Sequence, residues 1–215
     1  MTATLGLGTY RIPAAASMAS AAERVATAPV PWVDTAPNYC GGRPHRLLAP
    51  VLQAQPQLRV ATKTGFLTPR TGREALAAGV ITKPEANVGH SLSPSFVRWQ
   101  LDRARAELGR DRLDTVFVHN PERSPDPGSL AQHLRDAFEI LEVEAGADRI
   151  CSYWVATWNG FSQGLFTIAA LDRIATEAAS TPRPPSADDP ASRQPHRGPP
   201  PLTGAAGPRA DHPRR

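Results

Sequence analysis

SFVRWQLDRARAELGRDRLDTVFVH, residues Ser95 to His119, changes its periodicity halfway along. In the first half Phe96, Leu101, Ala104 and Leu108 recur at spacings of three to five, while Arg98, Arg103, Arg105 and Glu107 are free to face water. That single apolar stripe predicts an amphipathic helix over Ser95–Leu108. Pro94 stands at its start, where a missing N–H is harmless, and Gly109 follows its end as a terminating residue. In the second half, Leu113 to His119 is a short run rich in Val, Leu and Phe, the pattern of a parallel strand covered on both faces.

The same alternation extends in both directions. Strands are expected at Leu5–Thr9, Trp32–Asp34, Leu58–Lys63, Leu113–His119 and Ile150–Ala156. Helices are expected at Ser17–Thr27, Arg43–Leu52, Ser95–Leu108, Ser129–Ala145 and Gly164–Ala179. Strand and helix in strict alternation predict an α/β fold of parallel βα units. Gly65 to Leu92 interrupts the pattern with Gly, Thr, Pro and mixed charges, and only Arg73–Ala78 suggests a helical turn or two. A long excursion after a strand is commonly an active-site loop in such folds.

After Ser180 the composition shifts to Pro, Arg, Ala and Gly, with Leu202 the one large aliphatic residue. A segment so poor in apolar surface cannot offset the entropy of ordering, so a disordered tail is expected. The organisation is therefore residues 1–179 as a βα portion and 180–215 as the tail. A frame change in a GC-rich gene would account for such a tail, and translating the other frames for further βα pattern tests that origin.

Composition narrows the function. The chain has 215 residues with 24 Lys and Arg against 20 Asp and Glu, a net charge of +4 whose arginines are dispersed and recur in the tail. Dispersed charge without stacking aromatics or a reading helix argues against nucleic-acid binding. No basic leader or membrane-length apolar run is present in the sequence, so a cytoplasmic protein is expected. Cys40 and Cys151 are too far apart for a local metal pair and read as reduced, small apolar residues. His45, His90 and His133 read as solvated loop or helix residues, and His196 and His212 belong to the tail.

Asp34, Lys63 and His119 each end a predicted strand, which puts all three on one rim of a parallel βα barrel. Tyr39 follows Asp34 closely enough to turn back over the same mouth. A free tyrosine titrates near pH 10, and a nearby ammonium is expected to lower that value, with Asp34 holding Lys63 in place. His119 could then donate to a substrate carbonyl oxygen beside the phenol. Those are the parts of a carbonyl reductase.

The motifs now point to a known family. Leu5-Gly6-Leu7-Gly8-Thr9-Tyr10, Val33-Asp34-Thr35-Ala36-Pro37-Asn38-Tyr39, Ala61-Thr62-Lys63 and Phe117-Val118-His119-Asn120-Pro121-Glu122 resemble, in order, the first four strand motifs of the aldo-keto reductases. The resemblance covers roughly the first 170 residues and implies an incomplete (β/α)8 TIM barrel of five βα units. It further implies Tyr39 as acid/base, Asp34 and Lys63 as its tuners, His119 as carbonyl orienter, NADPH as cofactor and a small carbonyl compound as substrate. Thr9 and Tyr10, with Asp34, would lie near the nicotinamide ribose. The family's Ser-Asn pair after the fifth strand is replaced by Ala156-Thr157-Trp158-Asn159, leaving Thr157 or Asn159 to hold the carboxamide. The strands that hold the adenosine phosphate end have no counterpart, so cofactor binding is expected to be weakened or lost. An unclosed barrel also exposes its edge strands, which predicts self-association. The alternative to an enzyme is a truncated, inactive relative acting through such association.

Two other readings fail on the residues. Gly6 and Gly8 lack the third glycine and the following helix of a dinucleotide-binding turn. A metal site with Asp34 and His119 lacks further ligands, and Lys63 in the same mouth would repel a cation; no metal is expected.

Overall fold

The computed structural model describes residues 6–12, 15–28 and 31–181. Its core element is a sheet of five parallel strands in sequence order: β1 (Gly6–Gly8), β2 (Trp32–Asp34), β3 (Arg59–Thr64), β4 (Leu113–His119) and β5 (Ile150–Ala156). Between and after them run α1 (Ala15–Val25), α2 (Pro44–Ala54), α3 (Pro69–Ala77), α4 (Lys83–Val88), α5 (Pro94–Leu108), α6 (Leu130–Gly146) and α7 (Ile168–Ser180). This is the α/β architecture of an incomplete TIM barrel, with each βα unit laid beside the last. The expected tail lies outside the described residues apart from Ser180 and Thr181, as does Leu5.

Register decides which side chains share a face. Asp34 aligns with Ala61, Lys63 with Phe117, and His119 with Ala156. Because strand side chains alternate, Asp34, Lys63 and His119 all project on one face of the sheet. The opposite face carries Val33, Val60, Val116 and Val118, each fully buried against the helices. There they meet Leu48 and Leu52 of α2, Leu101 and Leu108 of α5, and Leu134 and Leu141 of α6. Each such fully buried aliphatic side chain contributes about 1.5–3 kcal/mol.

Ion pairs bolt the outer helices together. Glu107 of α5 accepts from Arg46 of α2 at 2.8 Å, and Arg105 of α5 reaches Glu144 of α6 at 2.8 Å. Glu144 is 1% exposed, and Arg149, directly before β5, grips it with two further hydrogen bonds. A buried carboxylate is tolerated when charged donors surround it in this way.

The excursion Gly65–Leu92 is more ordered than its composition suggests. It forms α3 and α4, each opened by a capping box: Thr68 with Thr71, and Thr82 with Glu85. Pro69 and Pro84 occupy first-turn positions, where no N–H is missed. Leu67, Ala75 and Ile81 gather on Phe96 of α5 as a second small core. This packing also corrects two histidines expected in solvent. His90 is 0% exposed beneath β4, and His45 is 1% exposed with Nε2 2.9 Å from Thr62 Oγ1. His133 is half-buried, its Nδ1 2.9 Å from the Ser124 hydroxyl.

Near the chain's described end, Phe161 to Leu165 form turns, with Gly164 at φ +67°. Helix α7 therefore starts at Ile168, four residues later than Gly164, where the Thr167 hydroxyl accepts from Ala170 N at 3.1 Å. No described helix is long and apolar enough to cross a membrane.

Candidate active site

The mouth lies where the carboxyl ends of β1 to β4 meet. Lys63 Nζ donates to Asp34 Oδ1 at 2.6 Å and to the Thr35 carbonyl at 2.9 Å. The lysine is buried and the aspartate is half-exposed, so the pair spans the boundary between core and rim. Burial pulls the Lys63 ammonium below its usual range, and Asp34 opposes that shift. Thr9, fully buried at the end of β1, donates to Thr35 Oγ1 at 3.0 Å and so fixes the loop that carries the site onward.

That loop turns sharply through Tyr39–Gly41, with Cys40 in the left-handed region at φ 47°. The Cys40 thiol donates to the Ile12 carbonyl at 3.0 Å, tying this turn to the segment after β1. Cys151 is exposed on β5. The turn brings the Tyr39 ring over the mouth, 5.0 Å from the Tyr10 ring and 5.9 Å from the His119 imidazole, both edge to face. Lys63 Nζ sits 5.2 Å from the Tyr39 ring centre. The four residues Asp34, Lys63, Tyr39 and His119 are thus brought around one space.

The electrostatics differ from the sequence expectation in one respect. The Tyr39 phenol is pushed up to about 12, first by burial and then by the Asp34 carboxylate and Tyr10. The ammonium was expected to lower it, but its charge is already matched by Asp34 at hydrogen-bond distance. Tyr39 is therefore a neutral phenol across the physiological range, an acid with a proton to give. His119 is driven down to about 3 by burial, Lys63 and His90. A neutral imidazole keeps one N–H to donate, and its Nδ1 is buried without a partner.

A buried clamp behind the mouth sets its floor. Gln100 of α5, 2% exposed, accepts from Thr64 Oγ1 at 2.9 Å and Gly65 N at 2.8 Å and donates to the Phe66 carbonyl at 2.9 Å. His90 Nε2 lies 2.9 Å from the His119 carbonyl, so as the donor tautomer it anchors the end of β4. Its own pKa falls to about 4, chiefly through burial. Gly65, at φ +126°, leaves the room this requires, since a Cβ there would lie 2.8 Å from His90 Nε2. Phe66 packs edge-on against both imidazoles, at 5.1 Å and 4.8 Å.

The resulting cavity, about 530 Å³, is lined by Tyr10, Asn38, Tyr39, Phe66, His119, Asn120, Arg123 and Trp158. Thr157 and Asn159 do not line it: the Thr157 hydroxyl accepts from Gly160 N at 2.8 Å, and Asn159 N points to Glu122 Oε1 at 3.4 Å. Asn38, Phe66, Asn120, Arg123 and Trp158 line the cavity and were not singled out from the sequence as site residues. All come from loops beyond strand ends, and only Asn38, directly before Tyr39, and Asn120, directly after the β4 histidine, carried a positional hint. Among the described residues no cluster suited to a metal ion occurs.

A pocket lined by a protonated phenol and a neutral imidazole, with a carboxylate-clamped lysine beside the phenol, is an arrangement suited to acid-assisted chemistry at a carbonyl. Comparison with known proteins agrees with the fold and supplies the family. The Aldo/keto reductase family model matches residues 4–148, and the chain belongs to that family. It is 31% identical over 119 residues to a D-threo-aldose 1-dehydrogenase from a Pseudomonas species, a match covering 52% of this chain and 35% of that protein. Among solved structures, an aldo-keto reductase from Bacillus halodurans in its holo form aligns with TM-score 0.55 at 16% identity, covering 74% of this chain and 48% of that one. A glycerol dehydrogenase from Gluconobacter oxydans aligns with TM-score 0.55 at 17% identity, covering 81% and 48%. The chain thus spans about a third of the curated relative and about half of these solved structures.

Proposed function

We propose that this chain carries the acid-catalytic half of an oxidoreductase that reduces an aldehyde or ketone. The observation that carries the reading is the Lys63–Asp34 pair at 2.6 Å beneath a Tyr39 ring that shares its pocket with His119. The neutral imidazole donates a hydrogen bond to the carbonyl oxygen, drawing electron density from carbon. Tyr39 then gives its phenolic proton to that oxygen as it gains charge. Lys63, held by Asp34 5.2 Å from the ring centre, stands beside the phenolate left behind.

The electron pair comes from a nicotinamide dinucleotide, which supplies hydride when bound; NADPH is the form the family resemblance suggests. The residues present fit the nicotinamide end. Asp34 uses one carboxylate oxygen for Lys63 and has a second for a ribose hydroxyl, and Tyr10 is 51% exposed at the cavity edge. Tyr10 and Asp34 would border the ribose; Thr9, expected there too, is fully buried and would act only by holding Thr35, and Thr157 and Asn159, expected at the carboxamide, lie outside the cavity. A cytoplasmic setting and a small-molecule carbonyl substrate accord with this reading. The D-threo-aldose specificity in a relative's name makes aldoses the first substrates to try. Residues 1–179 would be the working portion, with 180–215 an appended tail.

A second reading, association of copies through the barrel edge, is favoured by the exposure of Trp154 at 62% and Ile168 at 76% beside β5. Sedimentation with Trp154→Ser tests it: a dimer that dissociates in the variant supports it, and a monomer throughout removes it.

The test of the main reading has two arms. NADPH should quench tryptophan fluorescence, since Trp158 lines the cavity. Tyr39→Phe should then lower turnover by a factor on the order of 10²–10⁴ while leaving that quenching intact. Undiminished turnover in the variant would remove the phenol from the reaction.

A further inference from the structure

Trp158 is 69% exposed, yet it lines the same cavity as Tyr39 and His119. A side chain so open samples several rotamers unless its neighbours hold it. The groups that hold it both come from the short turn Pro121–Arg123, just beyond the end of β4. Glu122 Oε1 accepts from Trp158 N at 3.0 Å and lies 3.4 Å from Asn159 N. Arg123 sets its guanidinium 6.0 Å from the Trp158 ring centre, within the range of cation–π attraction. One turn therefore grips Trp158 by its backbone and by its ring.

The turn is itself braced. Asn120 N donates to the Ala156 carbonyl at 2.6 Å, Arg123 N to the Asn120 carbonyl at 2.9 Å, and Ser124 N to the Pro121 carbonyl at 3.0 Å. The Ser124 hydroxyl meets His133 Nδ1 of α6 at 2.9 Å. Across the gap, Gly160 N is answered within its own loop by the Thr157 hydroxyl at 2.8 Å, which leaves the Trp158 and Asn159 amides for Glu122. Glu122 Oε2 is sealed from water, and a polar group in such surroundings makes a stronger hydrogen bond than one in solvent.

We propose that Glu122 is a positioning residue: by taking the Trp158 amide it seats that ring as a wall of the pocket, and the wall decides how well the mouth holds a carbonyl compound that extends past its reacting carbon. Tyr39 and His119 are placed by other contacts, the turn through Cys40 and the His90 bond to the His119 carbonyl. The seat therefore governs the grip on substrate rather than proton transfer. A flat ring laid against Trp158 buries apolar surface that acetaldehyde does not have. Benzaldehyde should depend on the seat far more than acetaldehyde does. The selection rests on the carbonyl reductase reading; the seat itself does not.

The experiment reads hydrogen exchange at the Trp158 backbone amide of the full chain, together with kcat and KM for benzaldehyde and acetaldehyde in the presence of NADPH. The parent should protect that amide. Glu122→Ala should speed its exchange about tenfold, and Glu122→Asp, whose carboxyl falls short by one methylene, should do the same even if the Ala variant fails to fold. Glu122→Gln keeps an acceptor oxygen and should keep the protection. The ratio of kcat/KM for benzaldehyde to that for acetaldehyde should fall about tenfold in the Ala and Asp variants, through KM rather than kcat, and return in the Gln variant. Trp158→Ala should lower the ratio as much, and adding Glu122→Ala to it should lower it no further. An unprotected amide in the parent, or equal exchange in every variant, would overturn the seat. An unchanged ratio in the variants that lose protection, or a fall in kcat with KM unmoved, would overturn its part in selection. Protection lost in those variants, with no turnover of either aldehyde by the parent, would remove the reductase reading and the selection with it, and leave the seat standing.

Discussion

β4 and β5 are neighbours of equal length and similar apolar composition, yet they live in different surroundings. Five of seven β4 residues are buried, against only Ile150 in β5. β4 lies between two strands, its Val116 and Val118 are sealed by helices, and its far end holds His119 over the mouth. β5 has one strand neighbour among the described residues, and Trp154, aligned with Phe117, stands 62% exposed. Strand sequence expresses what a strand is able to bury, and the number of neighbours decides what it does bury. The catalytic candidates all sit toward the sealed side.

Substitutions can be arranged along that contrast by size of effect. Leu113→Ala, at the fully buried start of β4, should destabilise by about 2–5 kcal/mol, read as a lowered midpoint in urea. Next comes pH. His90 and His119 titrate in the folded chain near 4 and 3 but near 6.5 when unfolded, so the unfolded chain binds more protons between those limits. Stability should therefore fall as pH drops from about 6.5, each histidine contributing a limiting slope of about 1.4 kcal/mol per pH unit. His90→Gln should reduce that slope by close to one proton, and an unchanged slope would mean that His90 is not sealed. Thr82→Ala, which removes the α4 cap, should cost about 1 kcal/mol. At the open side, Trp154→Ser should change the stability of a monomer by no more than about 0.5 kcal/mol. A loss as large as that at Leu113 would erase the distinction between the two strands.

The sequence made the sealed side readable and left its details hidden. Trp32–Asp34, Leu113–His119 and Ile150–Ala156 have the bounds expected of them, because short apolar runs between polar turns leave little freedom in placement. β3 runs Arg59–Thr64, one residue later than expected, and α2 continues to Ala54. The two capping boxes in Gly65–Leu92 were present as Thr68-x-x-Thr71 and Thr82-x-x-Glu85, but mixed composition masked them. His45 and His90 looked solvated because burial of a polar ring depends on partners from distant segments, here Thr62 and the His119 carbonyl. The ends of β2, β3 and β4 made Asp34, Lys63 and His119 legible as a group. The rise of the Tyr39 pKa was not, since it follows from desolvation and from how completely Asp34 matches the lysine charge.

Gln100 gives one outer helix authority over the reaction floor. Its single carboxamide meets Thr64, Gly65 and Phe66 in turn, taking two donors and answering one acceptor. Neither Glu nor Leu reproduces that order, so the tip of β3 moves with α5 as one body. Any ligand or crowding that displaces the outside of α5 would be felt as a shift of the Phe66 ring against His119, far from where the push was applied.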